Sequence, residues 1–166
     1  MSSYIKLIIF IVVLLLISVA VVYIDSSMET INESMPKISD SIVQGDKDYN
    51  ESVELLNSQN FDESREKAIS AGDNYNNSLQ GLQNIKDKYK KDLKEVHKDY
   101  IDTTIKELEL KLKAVDNLKD SIYYLEMYEN YTGSAYGTDA NEIMYDALKY
   151  QNERNEIVQN NSGLFN

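Results

Sequence analysis

The chain has 166 residues, 17 basic and 28 acidic side chains, no cysteine and a net charge of −11. One anchor and one domain fit that length; disulfides, thiolate metal sites and cysteine nucleophiles are excluded. So acidic a body is repelled by phosphate backbones and anionic surfaces, which argues against nucleic acid as a partner.

Residues 1–6 form a short tail with one basic side chain, Lys6. From Leu7 to Ile24 the chain runs without a charge. At ~1.5 Å per residue this run is about 27 Å long as a helix, close to the thickness of a bilayer's hydrocarbon core. Tyr4 and Tyr23 fall near its ends, where amphipathic rings favour the interface. The expected element is a transmembrane signal anchor at residues 7–24. Lys6 and the amino terminus would lie in the cytoplasm and the remainder outside the membrane. Ser18-Val19-Ala20 has the small-residue spacing of a signal-peptidase site. Cleavage there would leave Val21-Val22-Tyr23-Ile24 at the head of a secreted chain, so an uncleaved anchor is the expectation.

Beyond the run the charge is uneven. Residues 25–85 carry 4 basic and 12 acidic side chains, residues 86–113 carry 9 and 7, and residues 114–166 carry 3 and 9. Six glycines and one proline in the whole chain leave few turn signals and favour long helices over a β-fold.

Met28, Ile31, Met35, Ile38, Ile42, Gly45, Tyr49, Ser52 and Leu56 recur at spacings of three and four, which aligns them along one seam of a helix. Pro36 is expected to kink that helix or to start a new one. Residues 25–45 read as a juxtamembrane stalk, and residues 46–161 as an extracytoplasmic helical domain with a short tail at 162–166. Asn57-Ser58-Gln59-Asn60 is a break, and Asn60 with Glu63 has capping-box spacing, so a helix is expected to start near Phe61.

Phe61, Ala68, Tyr75, Leu82, Tyr89 and Val96 then fall seven apart, and the pattern resumes through Ile101, Ile105, Leu108, Leu112, Val115, Ile122 and Leu125. Either one very long helix spans 61–131 or a turn is hidden around Tyr89–Leu93. An unbroken helix would reach about 105 Å and need partners along its whole length. A folded-back bundle buries the same stripes within one chain and is the expectation. Thr132-Gly133-Ser134-Ala135-Tyr136-Gly137 reads as a loop. Asp139 and Glu142 would then cap a last helix carrying Ile143, Ala147 and Tyr150 to about Gln159.

The fold class is therefore all-α: an N-terminal transmembrane helix followed by a small helical bundle or coiled-coil-like domain. Tyr49 and Leu55-Leu56, followed by Phe61-Asp62-Glu63 and Ala68, resemble a single tetratricopeptide-type hairpin over residues 49–75. The Trp, Gly and closing Pro of the fuller pattern are missing and no second copy follows, so the resemblance implies a helical hairpin and no array.

Few residues suggest chemistry. Asp46, Asp48 and Asn50 match the first ligands of a calcium loop, but Glu51 and Asn57 stand where Gly and Glu are required. An acidic first turn of a helix is the simpler reading. His97 is alone, and no catalytic triad or cofactor motif accompanies it. A non-enzymatic protein without cofactors is expected.

Interaction surfaces are better candidates. Lys86, Lys90, Lys94 and Lys98 are four apart and would line one helix face. The pairs Asp87–Lys91, Lys88–Asp92 and Lys98–Asp102 would make that a solvated face. Tyr123, Tyr124, Tyr128, Tyr131, Tyr136, Tyr145 and Tyr150 form a cluster suited either to recognition or to helix packing. Asn32, Asn50, Asn76, Asn130 and Asn160 each begin an Asn-X-Ser/Thr triplet, a candidate glycosylation site in an exported domain.

The functional expectation is a single-pass, membrane-anchored cell-surface protein, a scaffold or subunit acting through other proteins or self-association. Its alternative is an extracytoplasmic sensor or ligand-binding domain that signals through a membrane partner. A pocket lined by the C-terminal tyrosines would favour that alternative.

Overall fold

The computed structural model describes residues 29–91 and 93–165. The expected tail and transmembrane segment lie outside the described residues. Among those described, no helix is long and apolar enough to cross a membrane.

Four helices make up the domain: α1 Glu29–Asn57, α2 Phe61–Tyr89, α3 Glu95–Glu126 and α4 Asn130–Asn160, with a 3-10 turn at Ser162–Leu164. No strand occurs among the described residues. Helices next to each other in sequence pack antiparallel, α1 on α2, α2 on α3 and α3 on α4, and α1 touches α3 across the diagonal. Each has 29 to 32 residues, so the bundle is about 45 Å long.

The core follows the seams legible in the sequence. Met35, Ile38, Ile42, Tyr49, Val53 and Leu56 of α1 are buried against Ala68, Ala71, Tyr75, Leu82 and Ile85 of α2. Ile101, Leu108, Val115, Leu118, Ile122 and Leu125 of α3 complete the centre. Small residues let the first two helices come close. Ser52 and Ser64 each donate a hydroxyl to the other's carbonyl at 2.7 Å. An added Cβ on Gly45 would lie 2.6 Å from the Tyr75 ring.

The register of the first hairpin is set by contacts along its length. Asp48 accepts from Ser70, Tyr75 donates to Asp46, and the Ser78 hydroxyl reaches the Ile38 carbonyl. Lys86–Asp102 at 2.6 Å and the Arg65–Glu126 pair tie α2 to α3 near opposite ends.

Several expectations need correction. α1 continues through Pro36 and across residue 45, so of the two expectations for Pro36 a new helix start is excluded. Met35, Ile38 and Ile42, expected in a stalk, belong to the bundle core. Helix α2 starts at Phe61, but the Asn60 side chain makes no capping hydrogen bond. The hidden turn is real and joins Tyr89 to Glu95.

The expected loop at 132–137 is helix. α3 ends at Glu126 and α4 begins at Asn130, so Asp139 and Glu142 sit in mid-helix. Gly133 and Gly137 are buried there. Gly133 serves close packing rather than a turn: an added Cβ there would lie 2.5 Å from Leu125 Cγ, and Ser121 donates to the Gly133 carbonyl at 2.8 Å.

The turns use no glycine. Gln59 (φ 59°) and Tyr128 (φ 62°) take the left-handed conformation. Asn60 N–H bonds to Leu55 O and Gln59 N–H to Leu56 O; Glu129 N–H bonds to Tyr124 O and Tyr128 N–H to Leu125 O. Both are Schellman closures, in which glycine is the usual residue at the left-handed position.

Candidate functional site

Charged residues of α1, α3 and α4 meet a tyrosine of α2 inside the bundle. Lys111 of α3 is fully buried, and its Nζ donates to Asp46 Oδ1 of α1 at 2.6 Å. Tyr75 Oη of α2 donates to the same oxygen at 2.7 Å. Lys111 Nζ also lies 2.8 Å from Glu107 Oε1, and Arg154 Nε of α4 lies 3.2 Å from Glu107 Oε2. These last two are ion pairs by distance without hydrogen-bond geometry. Two cations and two carboxylates balance.

Burial works against the Lys111 charge, but Asp46 and Glu107 outweigh it and hold the ammonium above the ordinary lysine range. Burial and then the Asp46 carboxylate push the Tyr75 phenol well up. Both side chains stay protonated at neutral pH. The beginning of the apparent calcium loop is thus the interior of a helix, with Asp46 engaged by Lys111 and Tyr75. Asp48 is held by Ser70, Gln44 and Lys67.

A cavity of about 20 Å³ adjoins the cluster, between Ser39, Ile42 and Asp46 of α1, Tyr100 of α3, and Gln151 and Arg154 of α4. It has room for one water molecule and not for an organic ligand. Among the described residues no group of three or more His, Asp or Glu is placed to hold a metal. What the cluster can do is fix helix register, because the Lys111–Asp46, Tyr75–Asp46 and Arg154–Glu107 contacts form only when α1, α2, α3 and α4 are aligned.

His97 is buried at the other end. Its Nε2 lies 3.2 Å from the Leu164 carbonyl, and its ring meets Phe165 edge-on at 5.3 Å. Burial, together with nearby Lys94, lowers its pKa against the effect of the Leu164 contact. The residue anchors the chain beyond α4 to the start of α3.

The tyrosines divide by environment. Tyr124 and Tyr136 stack face to face at 5.4 Å, with Tyr123 edge-on to Tyr124. Near this pair Tyr123, Met127, Tyr128 and Tyr131 are exposed, Tyr128 at 89% and Tyr131 at 91%, and Tyr145 is exposed farther along α4. Tyr150 is half-buried, with Lys106 5.8 Å above its ring. The α3–α4 turn therefore carries an aromatic, Met-containing surface beside Glu126 and Glu129. It lies at the end of the bundle away from Glu29.

The lysines do not share one helix face. Lys86 is on α2, Lys90 and Lys94 are in the following turn, and Lys98 is on α3. Lys86 pairs with Asp102, and Lys98 with Glu95 at 3.2 Å, in place of the expected spacing-four partners. Of the five triplets, Asn76, Asn130 and Asn160 are exposed on helices and Asn50 is half-buried. Ser52 and Ser78, the third residues of two triplets, are buried. The Asn32 side chain lies outside the described set.

Sequence reasoning passed over Glu107, Lys111 and Arg154 because charged side chains are ordinarily solvated. Lys111 follows Glu107 by four and Leu108 by three, a position on the buried stripe that could have drawn attention to it. The fold and site define an all-α antiparallel four-helix domain with a buried ionic layer. Comparison with protein-family models, with curated proteins and with solved structures finds no match.

Proposed function

We propose that the protein is a single-pass, membrane-anchored helical scaffold or subunit that presents the tyrosine-rich α3–α4 end to another protein. The observation that carries this reading is Tyr128, which is almost fully exposed and held at φ 62°. A bulky residue in this conformation costs stability that glycine would not. Its ring recovers little of that cost by packing, and such strain concentrates where a surface is used. Tyr131, Tyr123 and Met127 extend the patch with residue types enriched in protein interfaces.

The uncharged run at residues 7–24 supports the anchor, and Glu29, where the described chain begins, stands at the opposite end of the bundle from these tyrosines. The helical seams are filled within the chain, which leaves the exposed end as the stronger candidate for contact. The ligand-sensing alternative has less support, because the α1–α3–α4 cavity has room for about one water and none of the clustered tyrosines lines it.

Site-specific photocrosslinking in intact cells tests the proposal. A crosslinking residue at Tyr128 or Tyr131 is expected to give a discrete adduct that the same group at exposed Gln80 does not. Equal adducts at all three positions, or none at the tyrosines, would refute it.

A further inference from the structure

We infer that the lysine-rich α2–α3 turn is a docking surface for anionic lipid headgroups of the membrane entered by residues 7–24, an inference that rests on the anchoring proposed above. The first argument is position. The contacts of Asp46 with Tyr75 and of Ile38 with Ser78 set an antiparallel register for α1 and α2. Continued along α2, that register brings Lys90 level with the first turn of α1. Glu29, where α1 starts, follows the last residue of the uncharged run by only five positions. Anchoring the chain through that run therefore sets the α2–α3 turn against the headgroups.

The second argument is charge. Lys86, Lys88, Lys90, Lys91 and Lys94 stand with only Asp87 and Asp92 among the nine residues 86–94, in a chain whose net charge is −11. Lys88, Lys90, Lys91 and Lys94 are exposed. Among the described residues, no carboxylate lies within ion-pair distance of Lys90 or Lys91, whereas Lys86 and Lys98 are engaged by Asp102 and Glu95. Lys88 Nζ lies 5.2 Å over the ring of Tyr89, a half-buried aromatic of the kind that sits at headgroup level.

The overall acidity does not cancel this local attraction. Residues 116–148 hold seven acids and one lysine, and they lie toward the opposite end. The bundle's ~45 Å length is several times the ~8–10 Å Debye length, so a surface at the base feels little of the far end and responds to the turn together with Glu29, Glu33, Glu95 and Asp99 at the starts of α1 and α3. Repulsion of the acidic end adds to the same result: the bundle stands upright and its tyrosines point away from the membrane. Each lysine near an anionic surface shifts the docked population about fivefold.

The chain lacks cysteine, which makes single-cysteine probes clean. The full chain, labelled at Asn84→Cys near the turn or at Ser58→Cys at the far end, is reconstituted in nanodiscs carrying a headgroup quencher. Discs are made of phosphatidylcholine alone or with phosphatidylglycerol. The Asn84 probe is expected to be quenched more with phosphatidylglycerol. That difference should vanish at about 1 M salt, where the Debye length is ~3 Å, and in a Lys88→Gln/Lys90→Gln/Lys91→Gln/Lys94→Gln variant. The Ser58 probe should respond to neither. If the chain stays with the lipid under alkaline extraction and the Asn84 probe is indifferent to phosphatidylglycerol, the docking surface is refuted and the anchor stands. If alkaline extraction releases the chain, the anchor fails and the docking inference fails with it. The lipid and salt comparisons use native lysines, so they decide the matter even where the fourfold variant does not fold.

Discussion

Replacing Tyr128 by glycine should stabilise the domain while weakening its partner contact. The left-handed conformation costs an L-residue roughly 1–2 kcal/mol, and glycine removes that cost. Glycine gives back about 0.5–1 kcal/mol because its unfolded chain is freer. At 89% exposure the ring takes almost no burial energy with it. The net expectation is a gain of about 0.5–1 kcal/mol, or roughly 2–4 °C in melting temperature for a domain of this size. Gln59 provides the control: it is exposed, stands at φ 59° and closes the equivalent turn of the first hairpin. Gln59→Gly should give a similar gain and leave crosslinking at Tyr131 unchanged, whereas Tyr128→Gly should reduce it. Urea melts of both variants measure the energies. A loss of 1 kcal/mol or more in Tyr128→Gly would refute the reasoning, because the ring would then be packing against the bundle.

Lys111→Met leaves Asp46 and Glu107 with one cation between them and should cost about 3–5 kcal/mol in chemical denaturation. Adding Asp46→Leu should restore part of that loss, and strict additivity of the two would show the ion pair is not coupled. Native Lys111 has a raised pKa, so its contribution is complete below the ordinary lysine range and lost only as pH rises through the folded-state value. Gly133→Ala should destabilise by about 1–3 kcal/mol because the methyl meets Leu125, although alanine is the better helix former; a neutral or stabilising result would place this segment off α3. His97 has a lowered pKa, so the unfolded chain takes up the proton first and stability should fall as pH drops through about 6.5. His97→Gln should flatten that slope, and an unchanged slope would assign it to other groups.

The long seams were legible because apolar side chains at spacings of three and four have one economical solution, packing against each other. Met35 through Leu56 and Ile101 through Leu125 are found where that pattern requires. The α2–α3 turn could be inferred from the length of the stripe, though no Gly or Pro marks it. The α3–α4 boundary was misplaced for a physical reason. Glycine signals a turn when it supplies left-handed backbone, but Gly133 is used for its missing side chain, Gly137 is buried within α4, and Tyr128 supplies the turn conformation instead. The buried ionic layer was hidden for a similar reason. Asp46, Glu107, Lys111 and Arg154 look like surface charges one at a time, and only the packing of α1 and α4 against α3 brings Asp46 and Arg154 to the Glu107–Lys111 pair. Exposure of the tyrosines could not be read from their spacing, since an aromatic at helical periodicity fits a core as well as a surface.

The most direct measurement of the central claim is the sidedness of the α3–α4 end in intact cells. With Tyr131→Cys as the chain's sole cysteine, a membrane-impermeant maleimide should label the protein in intact cells, and the labelled chain should stay with the membranes under alkaline extraction. Labelling only after the membrane is opened, or release of the labelled chain into the soluble fraction, would contradict an outward-facing, anchored bundle.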